Sequence, residues 1–193
     1  VAEADLALQQ APPDAGQCAA LEAIRDDALR MDEAIGALLD AARRQAAGRN
    51  AIADAAAVAR DAVTGATPPG VTGVHVQVQA PDGEVLAGVD SAVLGRIIAP
   101  LAENACRHAT SEVSVRVSRA AGKVRIVVQD DGPGVPQDER EAIFEPGARG
   151  TGATGDGAGL GLALSRRLAR AAGGDVRAIA GSGGCFEVTV PGA

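Results

Sequence analysis

The stretch Ile126-Val-Val-Gln-Asp-Asp-Gly-Pro-Gly-Val135, with Gly155-Asp-Gly-Ala-Gly-Leu-Gly-Leu162 after an intervening loop, decides the fold of this chain. The first part predicts a buried strand that runs into an acidic, glycine-rich turn, and the second predicts a glycine run that opens into a helix. Glycine permits positive φ and close backbone approach, so such turns can present N–H groups to an anion. A helix N-terminus adds the positive end of its dipole. Long loops in compact domains are often lids. These features predict a nucleotide site under a mobile lid.

Composition limits the possible functions. The 193 residues suffice for one sizeable core plus a smaller appendage, and the formal net charge of −7 argues against nucleic acid as a partner. The only aromatic residues are Phe144 and Phe186, so we expect an aliphatic core. The three cysteines are widely spaced and lack a CxxC pair, which fits a reducing compartment and gives no support for a zinc site or disulfide framework. Neither a transmembrane run nor a signal peptide is visible, so we expect a soluble chain.

The N-terminal quarter has the pattern of a helical hairpin. Residues 1–10 look helical, residues 11–16 contain two prolines and a glycine that break the pattern, and helix resumes over residues 17–47. The apolar positions of the second helix follow a 3-4 spacing typical of a coiled coil or an antiparallel bundle: Leu21, Ile24, Ala28, Met31, Ile35, Leu38 and Ala42. We expect this arm to dimerise into four helices, with packing on its own domain as the alternative.

The remainder alternates between strand and helix patterns. A strand at 74–79 is expected to form a hairpin with residues 84–89 through the turn Pro81-Asp82-Gly83. Asp90 or Ser91 is expected to cap a helix that ends near Ala109. Further expected elements are a helix at 52–63, a linker at 64–73, strands at 113–117 and 124–130, a helix at 160–172, and a hairpin of 176–180 with 186–190. This order fits an α/β sandwich with helices on one face of a mixed or antiparallel sheet.

Two common nucleotide-binding motifs are excluded by their context. A Rossmann fingerprint needs a strand directly before the glycine run and an acidic residue after a βαβ unit, and Gly155 has neither. A P-loop needs Gly-Lys-Ser or Gly-Lys-Thr, which occurs nowhere in the sequence.

Four motifs together resemble the ATP-binding domain of sensor histidine kinases. Glu103-Asn-Ala-Cys-Arg-His-Ala109 resembles the N box, and Asp130-Asp-Gly-Pro-Gly134 resembles the G1 box. Ile143-Phe-Glu-Pro146 resembles the F box, and Gly157-Ala-Gly-Leu-Gly-Leu162 resembles the G2 box. The resemblance implies an α+β fold of the Bergerat type over residues 49–193, a sandwich of a mixed sheet covered by helices on one face. It identifies residues 1–48 with part of the dimerisation and histidine-phosphotransfer hairpin.

The resemblance also implies roles for individual residues. Asp130 would accept a hydrogen bond from the adenine amino group, and Asn104 would coordinate Mg²⁺, which prefers oxygen ligands. Arg107 would meet a phosphate, His108 would flank the nucleotide, and Glu103 would orient or deprotonate a nucleophile. Taken singly, these side chains also fit purely structural roles. Asp130 could be a turn residue at the end of a strand, Asn104 and Arg107 could be solvated residues on a helix, and His108 could be a histidine whose hydrogen bonds are satisfied within the protein.

The glycine-rich boxes and the F box receive roles in the same way. Phe144 would anchor the lid by packing. The remaining positions would let the backbone approach ATP and place a helix N-terminus near the phosphates: Gly132, Gly134, Gly157, Gly159, Leu160, Gly161 and Leu162. The family often has a further Asn one turn before the magnesium Asn, and Pro100 stands there, which leaves one metal or phosphate contact to be lost or replaced.

The implied function is the cytoplasmic kinase core of a two-component sensor histidine kinase. It would bind Mg²⁺ and ATP, act as a homodimer, and relay phosphate through a histidine to a response regulator. Neither His75, in a strand pattern, nor His108, in the N box, fits the phosphoacceptor, so we expect that histidine upstream of Val1. A membrane would be reached only through a segment outside this chain. The alternatives are another Bergerat-fold ATPase or serine protein kinase, and a non-catalytic nucleotide-binding dimerisation module.

Overall fold

The computed structural model describes residues 52–66, 73–148 and 159–193. The predicted helical hairpin of residues 1–48 and the glycine Gly157 lie outside the described residues. None of the helices in the described ranges combines the length and the apolar character that crossing a membrane requires.

Seven strands, three α-helices and one 3₁₀ helix make up the described part of the chain. In order they are β1 (Ala53–Asp54), α1 (Ala55–Ala66), β2 (His75–Gln79), β3 (Leu86–Ala87), α2 (Ser91–His108), β4 (Glu112–Ala120), β5 (Lys123–Asp130), the 3₁₀ helix (Ala142–Phe144), α3 (Gly161–Ala171), β6 (Asp175–Ala178) and β7 (Cys185–Pro191).

Five of the strands form one mixed sheet with the order β2-β4-β5-β7-β6. β2 runs parallel to β4, whereas β4, β5, β7 and β6 pair antiparallel with their neighbours. β1 and β3 form a separate two-stranded sheet. The predicted α+β class with a mixed sheet covered by helices is therefore confirmed.

The sheet is apolar on one face because its strands alternate in the way that a half-buried strand requires. Val115, Val128 and Phe186 are register partners across β4, β5 and β7, and each is almost fully buried. Most positions between them are polar, with Val127 and Cys185 as buried exceptions, and Arg125 on β5 pairs with Glu187 on β7. All three helices contact strands of this sheet. They cover its apolar face, since that face is the one excluded from solvent.

Helix α2 carries the apolar stripe that fixes it to the sheet. Its buried residues recur at the three- and four-residue spacing of one helix face: Leu94, Ile97, Ile98, Leu101, Ala102, Ala105 and Cys106. The predicted cap is Asp90, whose Oδ1 accepts the backbone N–H groups of Ala92 and Val93 at 2.9 and 3.3 Å. This cap orients the helix so that residues 103–108 arrive beside the end of β5.

One predicted hairpin is wrong. Residues 74–79 and 84–89 do not pair with each other, because β2 pairs in parallel with β4 and Leu86 pairs with Asp54 of β1. The Asp54 carboxylate explains part of this arrangement, since its Oδ1 accepts the N–H of Ala56, near the start of α1, and the N–H of Val85. Helix α1 accordingly begins at Ala55 rather than at residue 52.

Candidate functional site

The Asp130 carboxylate is the most deeply placed acidic group of the predicted site. Asp130 is the last residue of β5 and only 3% exposed. Its Oδ1 accepts two backbone N–H groups, from Gly132 at 2.9 Å and from Gly184 at 3.2 Å. Its own backbone N–H donates to the carbonyl oxygen of Gly184 at 2.9 Å. The side chain is therefore held in one orientation by two separate loops.

The second oxygen of this carboxylate is left for another partner. Both hydrogen bonds to the Asp130 side chain use Oδ1, and the described residues contain no buried side-chain oxygen without a partner. It follows that Oδ2 reaches solvent, and it is the atom at which a ligand donor can be received. Burial raises the pKa of this carboxyl above its ordinary value, while the bonds from Gly132 and Gly184 and the proximity of His108 act in the opposite direction.

Glycines surround Asp130 because the backbone comes too close for any side chain. A Cβ atom placed on Gly132 would overlap the carbonyl oxygen of His108, and one on Gly183 would overlap that of Asp130. Gly134 has φ of +79°, and its Cβ would lie 3.0 Å from the carbonyl oxygen of Gly183. The turn after β5, the end of α2 and the loop before β7 therefore meet at Asp130.

Gly183 and Gly184 belong to this site, although the sequence pattern indicates only a hairpin turn for them. The available signal is the number of glycines in Gly181-Ser-Gly-Gly184, which exceeds what a hairpin turn needs. Their function depends on contact with a residue more than fifty positions earlier, which a local pattern does not reveal.

The neighbouring carboxylate, Asp131, is hydrogen-bonded within the protein. Its oxygens accept the backbone N–H groups of Thr110 and Ser111 and the Ser111 hydroxyl, which donates at 2.6 Å. These bonds, that of the Ser111 hydroxyl first, hold the pKa of Asp131 well below its usual range. Asp131 therefore ties the end of β5 to the segment that follows α2. Sequence reasoning did not single it out.

The N-box residues lie along the last turns of α2. Pro100, Asn104 and His108 are four residues apart and share one side of the helix, and Arg107 lies close to the same line. The carbonyl of His108 touches Gly132, beside Asp130, whereas Pro100 touches the beginning of α3. Asn104 therefore lies between the base of the site and the N-terminus of α3. Glu103 and Arg107 are exposed, and Asn104 and His108 are half-buried.

Helix α3 begins where the G2 box ends. A Cβ on Gly161, its first residue, would lie 3.1 Å from the Cβ of Pro100, so the two helices approach closely at this point. Leu160 precedes the helix and Leu162 lies in its first turn, both half-buried. Gly159 has φ of +68° and its carbonyl accepts the N–H of Gly147 at 3.2 Å. The two sides of residues 149–158, which lie outside the described ranges, thus meet at a backbone hydrogen bond.

Phe144 is buried at the end of the 3₁₀ helix. Its ring meets that of Phe186 edge-on at 6.5 Å, and the guanidinium of Arg166 on α3 lies 4.8 Å above its face. Arg166 also donates to Glu141 at 2.7 Å and to Asp175 at 3.4 Å. Packing of this kind is what a lid anchor needs, and the anchoring role itself stays a prediction.

The structure brings most of the predicted residues to one side of the molecule. The order along α2 runs from His108 and Asp130, through Asn104, to the start of α3. Such a row can receive an amino-bearing ring at one end and an anion at the other, where the N-terminus of α3 supplies the positive end of a helix dipole. Gly157 lies outside the described residues, and no described contact joins Glu103 to this row.

Comparison with known protein families gives one match over more than half of the chain. The family described as histidine kinase-, DNA gyrase B- and HSP90-like ATPase matches residues 89–193. The sensor protein kinase CarS of Pseudomonas aeruginosa is 42% identical over 106 residues, which are 54% of this chain and 23% of that protein. The sensor protein KdpD of Escherichia coli is 30% identical over 177 residues, which are 87% of this chain and 20% of that protein. The chain therefore spans only about a fifth of the length of these relatives.

Solved structures give the same fold. The mycobacterial sensor histidine kinase MprB superposes with a TM-score of 0.66 at 24% identity, covering 73% of this chain and 97% of that one. The full-length protein ShkA, in complex with AMPPNP, superposes with a TM-score of 0.62 at 30% identity, covering 96% of this chain and 41% of that one.

Proposed function

The chain belongs to the family of histidine kinase-, DNA gyrase B- and HSP90-like ATPases, as an ATP-binding domain of the sensor histidine kinase type, and from this membership we propose that it is the cytoplasmic kinase core of a two-component sensor. In the intact protein it would bind Mg²⁺ and ATP and transfer the γ-phosphoryl group to a histidine. A response regulator aspartate would receive the phosphate next, and the protein would act as a homodimer through residues 1–48, for which the sequence predicts a helical hairpin.

The observation that carries the proposal is the orientation of the Asp130 carboxylate. Two backbone N–H groups occupy Oδ1, which leaves Oδ2 as the carboxylate oxygen that accepts no bond from the protein. The exocyclic amino group of adenine is a donor of matching chemistry, and a hydrogen bond to a charged acceptor is among the stronger ones, worth roughly 1.5–3 kcal/mol. A guanine base would present a carbonyl oxygen at that place and meet repulsion instead.

The phosphate end of the proposed site would rely on Asn104, Arg107 and the start of α3. Mg²⁺ usually keeps several waters and binds through few protein oxygens plus substrate phosphates. Within the described ranges, no cluster of three or more His, Cys, Asp or Glu could hold a metal alone. The Asn104 amide oxygen would therefore supply a protein ligand, with phosphate oxygens and water completing the set. The metal would neutralise charge on the transferring phosphoryl group.

In such a reaction the protein mainly positions the reactants. Asp130 and His108 would fix the base, Asn104 would hold the metal, and Arg107 would meet a phosphate oxygen. Gly159, Leu160, Gly161 and Leu162 would bring the N-terminus of α3 towards the phosphates. Glu103, which is exposed on α2, would orient or deprotonate the incoming histidine.

A nucleotide-binding module without kinase activity is the second candidate. Pro100 favours it, because an apolar ring in contact with Gly161 stands where the resembled family often has an additional asparagine. This candidate predicts binding of ATP without phosphorylation even when the upstream chain is present.

Calorimetric titration with a non-hydrolysable ATP analogue tests the proposal. The unmodified chain should bind saturably, and Asp130→Asn should weaken binding about tenfold or more, because a charged acceptor becomes a neutral amide. Binding should be strengthened by Mg²⁺ in the unmodified chain but not in Asn104→Ala. Ser182→Ala, on the loop beside the site, is the matched control and should bind normally. Absence of nucleotide binding by the unmodified chain would contradict the proposal.

A further inference from the structure

We propose that Gly184 determines base selectivity by positioning the Asp130 carboxylate, an inference that rests on the proposed binding of ATP. Gly184 would not touch the nucleotide itself. It would act through Asp130, by fixing which oxygen is occupied and which remains open to the base.

The first support is a reciprocal pair of hydrogen bonds. The backbone N–H of Asp130 donates to the carbonyl oxygen of Gly184 at 2.9 Å, which continues the pairing of β5 with β7 by one residue. The N–H of Gly184 donates to the Asp130 side chain at 3.2 Å rather than to backbone. One glycine therefore holds both the main chain and the side chain of the residue that would read the base.

The second support is which oxygen this bond uses. Gly184 and Gly132 both donate to Oδ1, so neither competes with a ligand for Oδ2. With two donors on the same oxygen, rotation of the carboxylate would break both bonds at once. The carboxylate is thus prepared for one further donor, in one direction, before any ligand arrives.

The third support is the absence of a side chain at position 184. A Cβ atom there would overlap Oδ2 and lie 3.0 Å from Cγ of Asp130. The φ angle of Gly184 lies outside the left-handed region, so alanine could adopt the same backbone without strain. A substitution at Gly184 should therefore act mainly by turning the Asp130 carboxylate.

The neighbouring glycine behaves differently and shows why Gly184 is the informative position. A Cβ on Gly183 would overlap the backbone oxygen of Asp130, which cannot rotate away. Gly183→Ala should therefore disturb the fold of the loop. Gly184→Ala should leave the fold in place while moving the acceptor.

The test compares ATP with purine riboside triphosphate, which carries hydrogen in place of the exocyclic amino group. In the unmodified chain, ATP should bind about tenfold or more tightly than this analogue, because only ATP donates to Oδ2. In Gly184→Ala that preference should fall to about threefold or less, with both nucleotides retaining measurable affinity. A variant that is merely less well folded would lose affinity for both nucleotides equally, and so would keep the ratio.

Ser182→Ala is the matched control, since Ser182 accepts from Gln129 and does not touch Asp130. The double variant Gly184→Ala with Asp130→Asn should be no less selective than Asp130→Asn alone, because both changes act on the same acceptor. An unchanged preference in a folded Gly184→Ala would overturn this inference and leave the proposed function standing. Failure of the unmodified chain to bind either nucleotide would overturn both.

Amide NMR of the unmodified chain covers the case in which Gly184→Ala does not fold. The N–H resonances of Gly132 and Gly184 should both follow the titration of Asp130, and the response should be absent in Asp130→Asn. A Gly184 N–H resonance that does not shift when Asp130 is protonated would show that the hydrogen bond from Gly184 to the Asp130 carboxylate is not made.

Discussion

Asp130 and Asp131 are adjacent, yet their surroundings shift their pKa values in opposite directions. Desolvation raises the pKa of Asp130, which is buried at the end of β5. Asp131 is exposed, and the hydroxyl and backbone groups of Ser111, with Thr110, lower its pKa. One carboxylate is thus poised to receive a ligand donor, while the other is committed to protein donors. Of these two adjacent aspartates, Asp130 is the proposed binding residue and Asp131 holds the protein structure together.

This difference predicts how stability depends on pH at Asp131. A carboxyl whose folded-state pKa lies below its unfolded value of about 3.9 stabilises the fold fully above that value. The stabilisation is lost as the pH falls through the folded-state pKa. Asp131→Asn should therefore unfold at a lower temperature than the unmodified chain at pH 7. The difference in unfolding temperature between the variant and the unmodified chain should become smaller in acid, below about pH 4.

Thermal unfolding, monitored by circular dichroism at several pH values, measures this difference in unfolding temperature. Asp82→Asn is the matched control, because Asp82 is an exposed aspartate in the turn before β3. A gap that stays constant from neutral to acidic pH would show that the Ser111 and Thr110 bonds do not depend on the charge of Asp131.

At the level of elements, the G2 box contacts the segment that follows the F box as well as opening a helix. The carbonyl of Gly159 accepts the N–H of Gly147, and a Cβ on Gly159 would lie 2.6 Å from the carbonyl oxygen of Ala148. The resemblance assigns Gly159 to the nucleotide. The contacts add a reason for glycine at this position that is independent of any ligand, since Gly159 joins the end of the F-box segment to the start of α3.

Gly159 and Gly147 offer a matched pair of substitutions. Both have positive φ, +68° and +79°, so alanine at either position should be destabilising by about 1–2 kcal/mol. A Cβ on Gly147 meets nothing within 4 Å, whereas one on Gly159 meets backbone atoms of residues 147 and 148. Gly159→Ala should therefore be more destabilising than Gly147→Ala, by about 1 kcal/mol or more.

Chemical unfolding measures the free energy of unfolding of each variant. Hydrogen exchange over the 3₁₀ helix and the first turn of α3 measures the local loss of stability. Faster exchange in Gly159→Ala than in Gly147→Ala is the expected result. Equal effects of the two substitutions would mean that the close approach at Gly159 is not maintained in solution.

Elements fixed by local chemistry could be predicted from the sequence, and those fixed by distant partners could not. Asp90 predicts the start of α2, because a helix cap binds the backbone of the residues that directly follow it. The parallel pairing of β2 with β4 has no local signature, so the turn at residues 81–83 suggested a hairpin that does not form. In the same way Asp130 lies in a recognisable motif, whereas Gly184 acquires its contact only when β7 folds beside β5.

Across the whole molecule, α2 separates the two ends of the proposed site. His108 lies at the Asp130 end, and Pro100 lies against Gly161 at the start of α3. Eight residues of helix span roughly 12 Å. In the proposed site, His108 would therefore lie at the base end of a bound nucleotide and far from its terminal phosphate. His75 is no better placed, since it begins the edge strand β2, whereas α3 contacts β6 and β7 at the other side of the sheet.

This separation predicts that neither histidine of the chain accepts phosphate. Incubated with Mg²⁺ and ATP labelled at the γ position, the 193-residue chain should bind nucleotide yet acquire no acid-labile, alkali-stable phosphate. A longer protein that includes the upstream sequence should acquire such phosphate, and Asn104→Ala should abolish it because the metal would be lost.

His75→Asn and His108→Asn in the longer protein are the controls, and His75→Asn should leave labelling unchanged. Since His108 would border the base in the proposed site, His108→Asn should weaken nucleotide affinity without moving the labelled position. Phosphohistidine at His75 or His108 would contradict the geometry, and an unlabelled longer protein that still binds ATP would favour the non-catalytic module.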